Sequence, residues 1–352
     1  MTYYFLLTDL RAGGSERVSV SIARILKRHG RDVRFVCLGS GEGEIKEWIT
    51  PQFQLDVLNT KRTLTAYPSL LHYMEKNRDG AVMFSSREQV SLLALSAGRK
   101  LGIPVIVRLP NMPSNQLYSG VTGMKWRVIH WLNKYMLRQA RLVIAQTDAM
   151  RQEAIDFYHL SEEKVVTVNN PLDKVHVLTS AKGSPNPFAP GGKNFLTVCN
   201  IAYSKGVDVL IEAFRKVREA IPEARLTVLG RTDTDYARGI VDAAKGDSQV
   251  TFAGFKANPY PYMKHCDVFV LPSRMEGFPN VLLEAMCFDK PVASTTCVPV
   301  VKKIVEQGVN GYCCDIDNAT QLAEAMIGAA GLTNIHNNYN LFDEERLVQL
   351  FS

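Results

Sequence analysis

Short apolar segments with the composition of β-strands alternate with amphipathic segments of helix length along almost the whole chain. Apolar runs at residues 4–7, 32–38 and 105–108 lie in the first half, and those at 195–198 and 268–271 lie in the second. Helix-length segments separate them, as in folds where helices cover a parallel sheet. The sequence therefore predicts an α/β protein built of Rossmann-like sheets.

A stretch dense in proline, glycine and serine at residues 179–192 interrupts this pattern and predicts a linker. The 352 residues are enough for two domains of roughly 150 residues each. We therefore expect a first domain at 1–178 and a second at 193–332. The last residues, 333–352, comprise a polar spacer and a short helix, which either packs back onto the first domain or finishes the second.

The composition excludes several classes of protein. With 46% hydrophobic and 22% charged residues the chain is globular, and no apolar run approaches the roughly 18 residues of a membrane helix. The first residues do not read as a secretory signal, so we expect a cytoplasmic protein. Seven cysteines without C-x-x-C spacing indicate reduced, mostly buried thiols and no zinc site. The net charge of +6 suits a nucleic acid, an anionic substrate or an anionic membrane face.

The clearest chemical signal lies in residues 272–286, PSRMEGFPNVLLEAM, which follow a predicted buried strand. A strand, a loop containing Gly277 and a helix that begins near Pro279 place free backbone N–H groups where the helix dipole favours an anion. We therefore expect a phosphate-sized ligand there. Glu276 precedes the helix and Glu284 lies within it, so two carboxylates flank the predicted anion. That arrangement suits a ligand that also carries hydroxyl groups, such as ribose or a sugar.

The same segment resembles the signature of the retaining GT-B glycosyltransferases of family 4, which use nucleotide sugars. Residues 198–214, VCNIAYSKGVDVLIEAF, look like the strand and Lys-Gly helix opening of that family's donor domain, and residues 13–18 match its glycine-rich first loop. The resemblance covers most of the chain. It implies the GT-B fold, two Rossmann-like domains facing each other across a cleft. The nucleotide sugar would bind mainly to the second domain and the acceptor to the first.

The resemblance also implies roles for individual residues. Lys205 and Glu276 would be catalytic, because Lys205 would neutralise the departing diphosphate and Glu276 would bind a hydroxyl of the transferred sugar. Glu284 would hold the ribose hydroxyls. The other residues predicted to bind the donor are Gly277, Phe278, Pro279, Asn280, Asn200, Arg274 and Gly14. The residues predicted to bind the acceptor or line the cleft are Gly13, Glu16, Arg108 and Asn111.

Two departures from the family pattern bear on these roles. Asn200 stands five residues before Lys205, where an arginine is common, so phosphate binding must depend more on Lys205, the helix N-terminus or Arg274. No histidine follows the strand that ends near residue 107. Arg108 and Asn111 are the candidates for that place, with a purely structural turn as the alternative.

We therefore expect a retaining, metal-independent glycosyltransferase that moves a sugar from a nucleotide-diphosphate sugar, most simply a UDP-sugar, to a glycan or lipid-linked glycan acceptor. Its place would be the synthesis of bacterial surface polysaccharide. No cofactor, metal ion or nucleic acid partner is expected. The alternatives are a nucleotide-sugar epimerase or hydrolase on the same fold, or a non-catalytic nucleotide-sugar-binding protein, which Asn200 and the missing histidine would suit.

Residues 121–141 raise the question of a membrane surface. They contain two of the three tryptophans and five basic residues, the composition of an interfacial helix. The alternative is a helix that packs on the core and exposes a solvated basic face. The interfacial hypothesis predicts a peripheral protein on the inner face of the cytoplasmic membrane.

Overall fold

The computed structural model describes residues 1–11, 13–114, 123–337 and 341–352 of the chain. They form two compact units. Unit 1 comprises Met1–Pro171 together with Leu341–Ser352, and unit 2 comprises Leu172–Asn340. Each unit contains one parallel β-sheet covered by helices, so the predicted α/β architecture is confirmed.

Unit 1 is built on seven strands. They are β1 (Thr2–Leu7), β2 (Asp32–Cys37), β3 (Gln54–Val57), β4 (Ala81–Ser85), β5 (Val105–Arg108), β6 (Leu142–Ala145) and β7 (Val165–Thr167). All pairs are parallel, in the order β3-β2-β1-β4-β5-β6-β7. The carboxyl ends of all strands therefore meet at one edge of the sheet, which we call the carboxyl edge. The central strands are apolar and almost fully buried because helices cover both faces.

The helices of unit 1 pack on this sheet through apolar stripes. They are α1 (Gly14–Arg28), α2 (Lys46–Ile49), α3 (Tyr67–Lys76), α4 (Glu88–Leu101), α5 (Gly123–Leu137) and α6 (Asp148–Tyr158). In α1, for example, Val18, Ile22 and Ile25 recur every three or four residues and are buried. The side chains of residues 123–127, 129 and 130 in α5 lie outside the described part of the chain, and with them Lys125 and Arg127 of the predicted interfacial segment.

Unit 2 has the same architecture, with six strands. They are β8 (Lys193–Val198), β9 (Ala224–Leu229), β10 (Val250–Gly254), β11 (Val268–Leu271), β12 (Val292–Thr295) and β13 (Gly311–Cys314), paired in the order β10-β9-β8-β11-β12-β13. Its helices are α7 (Lys174–Ser180), α8 (Val207–Ala220), α9 (Asp235–Ala243), α10 (Tyr260–His265), α11 (Asn280–Met286), α12 (Val301–Ile304) and α13 (Ala319–Ala330). Helices α8 and α13 pack on each other over one face of the sheet. All six strands are parallel, so unit 2 also has a single carboxyl edge.

The boundary between the units differs from the predicted one. The chain passes from unit 1 to unit 2 between Pro171 and Leu172, not within residues 179–192. Helix α7 belongs to unit 2, where Asn258 donates a hydrogen bond to the Ser180 carbonyl. The proline- and glycine-rich stretch that follows leads into β8 within the same unit. Its composition indicated irregular backbone correctly but did not mark where one unit ends.

The C-terminal helix α14 (Glu344–Leu350) lies in unit 1, the first of the two arrangements left open by the sequence. It packs against α1, and Leu347 and Phe351 are fully buried. The Phe351 ring lies edge-on to Tyr3 at 5.3 Å between centroids, and the Tyr3 hydroxyl donates a hydrogen bond to the Phe351 carbonyl. Apolar burial therefore ties the chain end to the first strand.

Among the described helices, none combines the length and the apolarity that crossing a bilayer requires.

Candidate functional site

Two loops at the carboxyl edge of unit 2 bring the two predicted catalytic residues together. One loop follows β8 and ends in a single 3-10 turn, Tyr203–Lys205, before α8. The other follows β11 and leads into α11. The backbone N–H groups of Arg274 and Met275 both donate to the Ser204 carbonyl, at 2.9 and 3.1 Å. These hydrogen bonds join the two loops along their backbones.

Lys205 and Glu276 form an ion pair across this junction. The Lys205 ammonium lies 2.7 Å from Oε1 of Glu276. The hydroxyl of Ser273 donates to the same oxygen, also at 2.7 Å. The side chains are only 25% and 12% exposed, so the pair is partly shielded from solvent and yet reachable. A cation and a carboxylate are thus held side by side where parallel α/β sheets bind their ligands.

Protonation of the pair follows from its surroundings. Burial alone would lower the pKa of Lys205, but the charge and hydrogen bond of Glu276 outweigh it and the pKa is raised above its ordinary value. Two thiols adjoin the pair, and burial raises the pKa of both Cys199 and Cys297 to about 12. At neutral pH the site therefore contains a charged ammonium group near two protonated thiols. Neither thiol is activated as a nucleophile.

Gly206 fixes the position of Lys205. Its φ is +61°, and a Cβ built at this residue would lie 2.1 Å from the Pro272 carbonyl oxygen. Only glycine combines this left-handed conformation with so close an approach to the neighbouring loop. The Lys-Gly pair recognised in the sequence is therefore a geometric requirement of the junction.

Arg274, predicted to bind the donor, is engaged by side chains of the protein itself. Its guanidinium is 9% exposed and donates to both carboxylate oxygens of Asp208, at 2.8 and 2.6 Å, and also to Asp317. It stacks on the Tyr203 ring at 4.1 Å. Hydrogen bonds to Asp208 raise its pKa further. With its donors engaged by carboxylates, Arg274 holds the loop that carries Glu276, and its binding of phosphate stays a prediction.

The start of α11 also differs from the sequence interpretation. Pro279 is the residue before the helix, with φ −83° and ψ 63°, rather than part of its first turn. In this tight turn the Asn280 N–H donates to the Phe278 carbonyl at 2.9 Å. That amide is therefore engaged within the protein. Glu284 is half-buried in the middle of α11, on the helix that follows the Glu276 loop.

The remaining predicted donor residues of unit 2 have different exposures. Asn200 follows β8 and is exposed, so its carboxamide is accessible to a ligand. Gly277 and Phe278 are buried within the loop after β11. Ser273 was not predicted from the sequence. Its position directly after Pro272, at the carboxyl end of β11, is the signal that could have identified it.

At the carboxyl edge of unit 1 the glycine-rich loop leads into α1. Gly13 is the residue before the helix, and a Cβ there would lie 2.3 Å from Oε2 of Glu16, so no larger residue fits without displacement. Gly14 is exposed with open space around it. Glu16 is 2% exposed and forms an ion pair with Arg87. Its burial and its ion pair with Arg87 show a structural role in this loop, and its predicted contact with the acceptor stays a prediction.

Arg108 is buried as well. It is 2% exposed and donates to Oδ1 of Asn170. Asn170 in turn donates to Gln146 at 2.9 Å, and Gln146 donates to the carbonyls of Leu109 and Pro110 at 2.7 and 2.8 Å. Burial lowers the pKa of Arg108 to about 9.

This network ties the ends of β5, β6 and β7 together and fixes the backbone before Asn111, which is exposed. Of the two candidates after β5, Asn111 is accessible and Arg108 is not. The sequence gave no local signal for Gln146, which is 37 residues from the Leu109 carbonyl that it binds.

Asp233 and Asp235 lie at the start of α9, whose first turn is capped by the Thr234 hydroxyl. The Asp235 side chain is 99% exposed. In the described ranges, no group of three or more histidine, cysteine or acidic side chains is arranged to hold a metal ion.

Two family models match the chain. Glycosyltransferase Family 4 matches residues 12–222, more than half of the sequence, and Glycosyl transferases group 1 matches residues 182–334. An uncharacterized glycosyltransferase of Haemophilus influenzae is 25% identical over 98% of this chain and 94% of its own length.

Two further comparisons concern lipid-linked glycans and the fold. The N-acetylgalactosamine-N,N'-diacetylbacillosaminyl-diphospho-undecaprenol 4-alpha-N-acetylgalactosaminyltransferase of Campylobacter jejuni is 22% identical over 55% of this chain and 53% of its own length. The crystal structure of Anabaena HepE in complex with UDP-glucose matches with a TM-score of 0.77 and 18% identity, covering 99% of this chain and 98% of that one. The two parallel sheets, the match to this fold and the family models agree: the chain belongs to glycosyltransferase family 4, with the GT-B fold.

Proposed function

We propose that this glycosyltransferase transfers a sugar, with retention of configuration and without a metal ion, from a UDP-sugar to a glycan or lipid-linked glycan acceptor. Its place is the synthesis of bacterial surface polysaccharide. The observation that carries the proposal is the Lys205–Glu276 ion pair, partly shielded at the carboxyl edge of unit 2.

The pair suits the two charges that develop during transfer. The Lys205 ammonium, charged at neutral pH, stabilises the diphosphate as the bond to the sugar breaks. Both hydrogen bonds described for Glu276 reach Oε1, and we assign Oε2 to a hydroxyl of the transferred sugar. Burial keeps both adjoining thiols protonated, so neither serves as the nucleophile. We assign attack by the acceptor hydroxyl from the side of the leaving diphosphate, which takes up the hydroxyl proton as its bond to the sugar breaks, and the configuration is preserved.

The choice of donor and acceptor is supported by the relatives. HepE was crystallised with UDP-glucose, and the name of the Campylobacter jejuni relative specifies a diphospho-undecaprenol acceptor. We therefore propose a UDP-sugar and a lipid-linked glycan as the first substrates to test.

The test is a thermal-shift panel of UDP-, GDP-, ADP- and dTDP-sugars with EDTA present, followed by transfer assays with and without added acceptor. A ligand that binds the folded state raises the melting temperature. We expect the largest shift with a UDP-sugar and transfer that needs the acceptor and survives EDTA. Sugar release or epimerisation without acceptor would favour the hydrolase or epimerase alternative, and binding without turnover the non-catalytic one.

We also propose that α5 contacts an anionic membrane surface, where a lipid-linked acceptor is found. Val128 and Trp131 are 54% and 62% exposed on one face of the helix, and Trp131 stacks on Tyr135 at 5.7 Å. Arg99 lies over the Tyr135 ring, and Arg138 is exposed nearby in the sequence. Exposed aromatic and basic side chains together are the composition of an interfacial helix.

Liposome flotation tests this contact. Vesicles of phosphatidylglycerol and phosphatidylethanolamine should carry the protein upward, and pure phosphatidylcholine vesicles should not. Trp131→Ser should weaken flotation, as should Arg138→Glu, whereas Gln152→Glu on the exposed side of α6 is the control. Equal flotation of all variants, or none with the wild type, counts against a membrane contact of α5.

A further inference from the structure

A small pocket in unit 1 combines an apolar floor with one buried polar group. Leu95, Val107 and Leu137 form its floor and are at least nine-tenths buried. Glu88 and Asn111 lie at its mouth and are exposed. Because Asn111 follows β5 and Glu88 begins α4, the mouth opens at the carboxyl edge of the sheet, where α/β folds bind their ligands.

The buried polar group is the carboxamide of Asn133, on α5. Asn133 is 5% exposed and lines the pocket, and its Nδ2 has no hydrogen-bond partner among the described residues. A buried N–H group without an acceptor is costly, so a donor in this position calls for an acceptor supplied by a ligand.

The size and walls of the pocket restrict what can enter. The centre of a water-sized group can move within about 20 Å³ of the pocket, so the pocket admits only a substituent of a few heavy atoms. A carbonyl oxygen accepts from Asn133 without bringing a hydrogen that needs its own acceptor, unlike a hydroxyl or a water. A methyl group beside that carbonyl would rest on the leucine and valine side chains of the floor.

We propose that this pocket binds the acetamido group of an N-acetylated amino sugar in the acceptor, with the carbonyl oxygen accepting from Asn133 and the methyl group on the apolar floor. The proposal rests on the proposed function, because it names the acceptor that the transferase uses. It makes Asn133 a specificity-determining residue of unit 1, separate from the Lys205–Glu276 pair of unit 2.

The experiment compares two probes on the full chain saturated with UDP: methyl 2-acetamido-2-deoxy-β-D-glucopyranoside and methyl β-D-glucopyranoside. Their dissociation constants come from NMR titration, and saturation-transfer difference spectra report contact at the acetyl methyl. We expect the acetamido probe to bind about tenfold more tightly, with its methyl group receiving the strongest saturation. Asn133→Leu and the isosteric Asn133→Asp should each abolish the preference, whereas Gln152→Leu should retain it.

Equal binding of the two probes, no binding of the acetamido probe, or a preference that survives in both Asn133 variants would overturn the proposal. A water molecule alone in the pocket predicts the first of these outcomes. The proposed function is judged separately on the wild-type protein, from its thermal shift with UDP-sugar and from its transfer of sugar to acceptors without an acetamido group.

Discussion

The carboxyl edges of the two sheets carry charged side chains in the same topological place but at different depths. In unit 2 the side chains of Lys205 and Glu276 are 25% and 12% exposed and contact each other directly. In unit 1 Arg108 and Glu16 are both 2% exposed and are held by neighbouring side chains of the protein. Position at a strand end therefore does not by itself make a charged residue a ligand-binding residue. The exposure of its side chain decides whether a ligand can reach it.

The physical reason is the cost of burying charge. A buried ion must be stabilised by the protein itself, as Arg108 is by Asn170 and Glu16 is by Arg87, and at 2% exposure a substrate does not reach it. A partly exposed ion keeps part of its hydration, and a ligand can replace that water. We propose that the partly exposed pair of unit 2 meets a charged ligand, whereas the buried Arg108 of unit 1 fixes the backbone beside the accessible Asn111.

The largest expected effect tests whether the exposed pair acts on the substrate. Lys205→Met and Glu276→Gln should each lower kcat by about 10²–10³-fold, because a charge-stabilising partner of the transition state is lost. Steady-state kinetics with saturating UDP-sugar measures the change, and Glu219→Gln on the exposed side of α8 is the matched control. If turnover stays within threefold of wild type, which is a change of about 0.7 kcal/mol in activation free energy, the reaction takes place at another site.

The same substitution in the two units separates substrate binding from stability. Arg108→Met removes a buried hydrogen bond from a charged donor to Asn170, and we expect a loss of about 2 kcal/mol in the free energy of unfolding. Lys205→Met breaks a partly exposed pair and should cost under about 1 kcal/mol. Urea unfolding measures both. If Lys205→Met proves the more destabilising, the contrast between the two edges is wrong.

The sequence predicted the elements better than it predicted the roles of polar residues. Apolar runs located β1, β2, β5, β8 and β11 because buried strands must be apolar. Strand β3 was missed because its sequence, QLDV, has little apolar character and lies at the sheet edge. The resemblance to the family signature singled out Lys205 and Glu276, and the structure places them in contact. The sequence could not show that Asp208 and Asp317 engage Arg274, since those contacts span 66 and 43 residues and depend on the folded backbone.

Buried thiols should lower the stability as the pH rises above about 8.5, and unit 2 contains every cysteine except Cys37. Burial raises the pKa of Cys199, Cys266 and Cys297 to about 12. A thiol in the unfolded chain ionises at about pH 8.5. At that pH the same thiol in the folded chain is still protonated. The stabilisation is therefore fully present below that pH and is lost as pH rises toward 12.

Each such thiol contributes a slope of up to about 1.4 kcal/mol per pH unit in the free energy of unfolding. Urea unfolding under reducing conditions at a series of pH values above 8.5 measures the total slope. Cys266→Ala should reduce it, whatever its effect on stability at neutral pH. An unchanged slope in this variant would show that the thiol is accessible to solvent in the folded chain.

The smallest expected effect concerns the accessible neutral side chain of unit 1. Asn111 is exposed at the mouth of the pocket, so Asn111→Ala should change the free energy of unfolding by less than about 0.5 kcal/mol. Loss of one neutral hydrogen bond to the acceptor should raise the acceptor KM by about three- to tenfold and leave the donor KM unchanged. A change in the donor KM instead would mean that a side chain of unit 1 also binds the nucleotide sugar. Donor binding would then not be confined to unit 2.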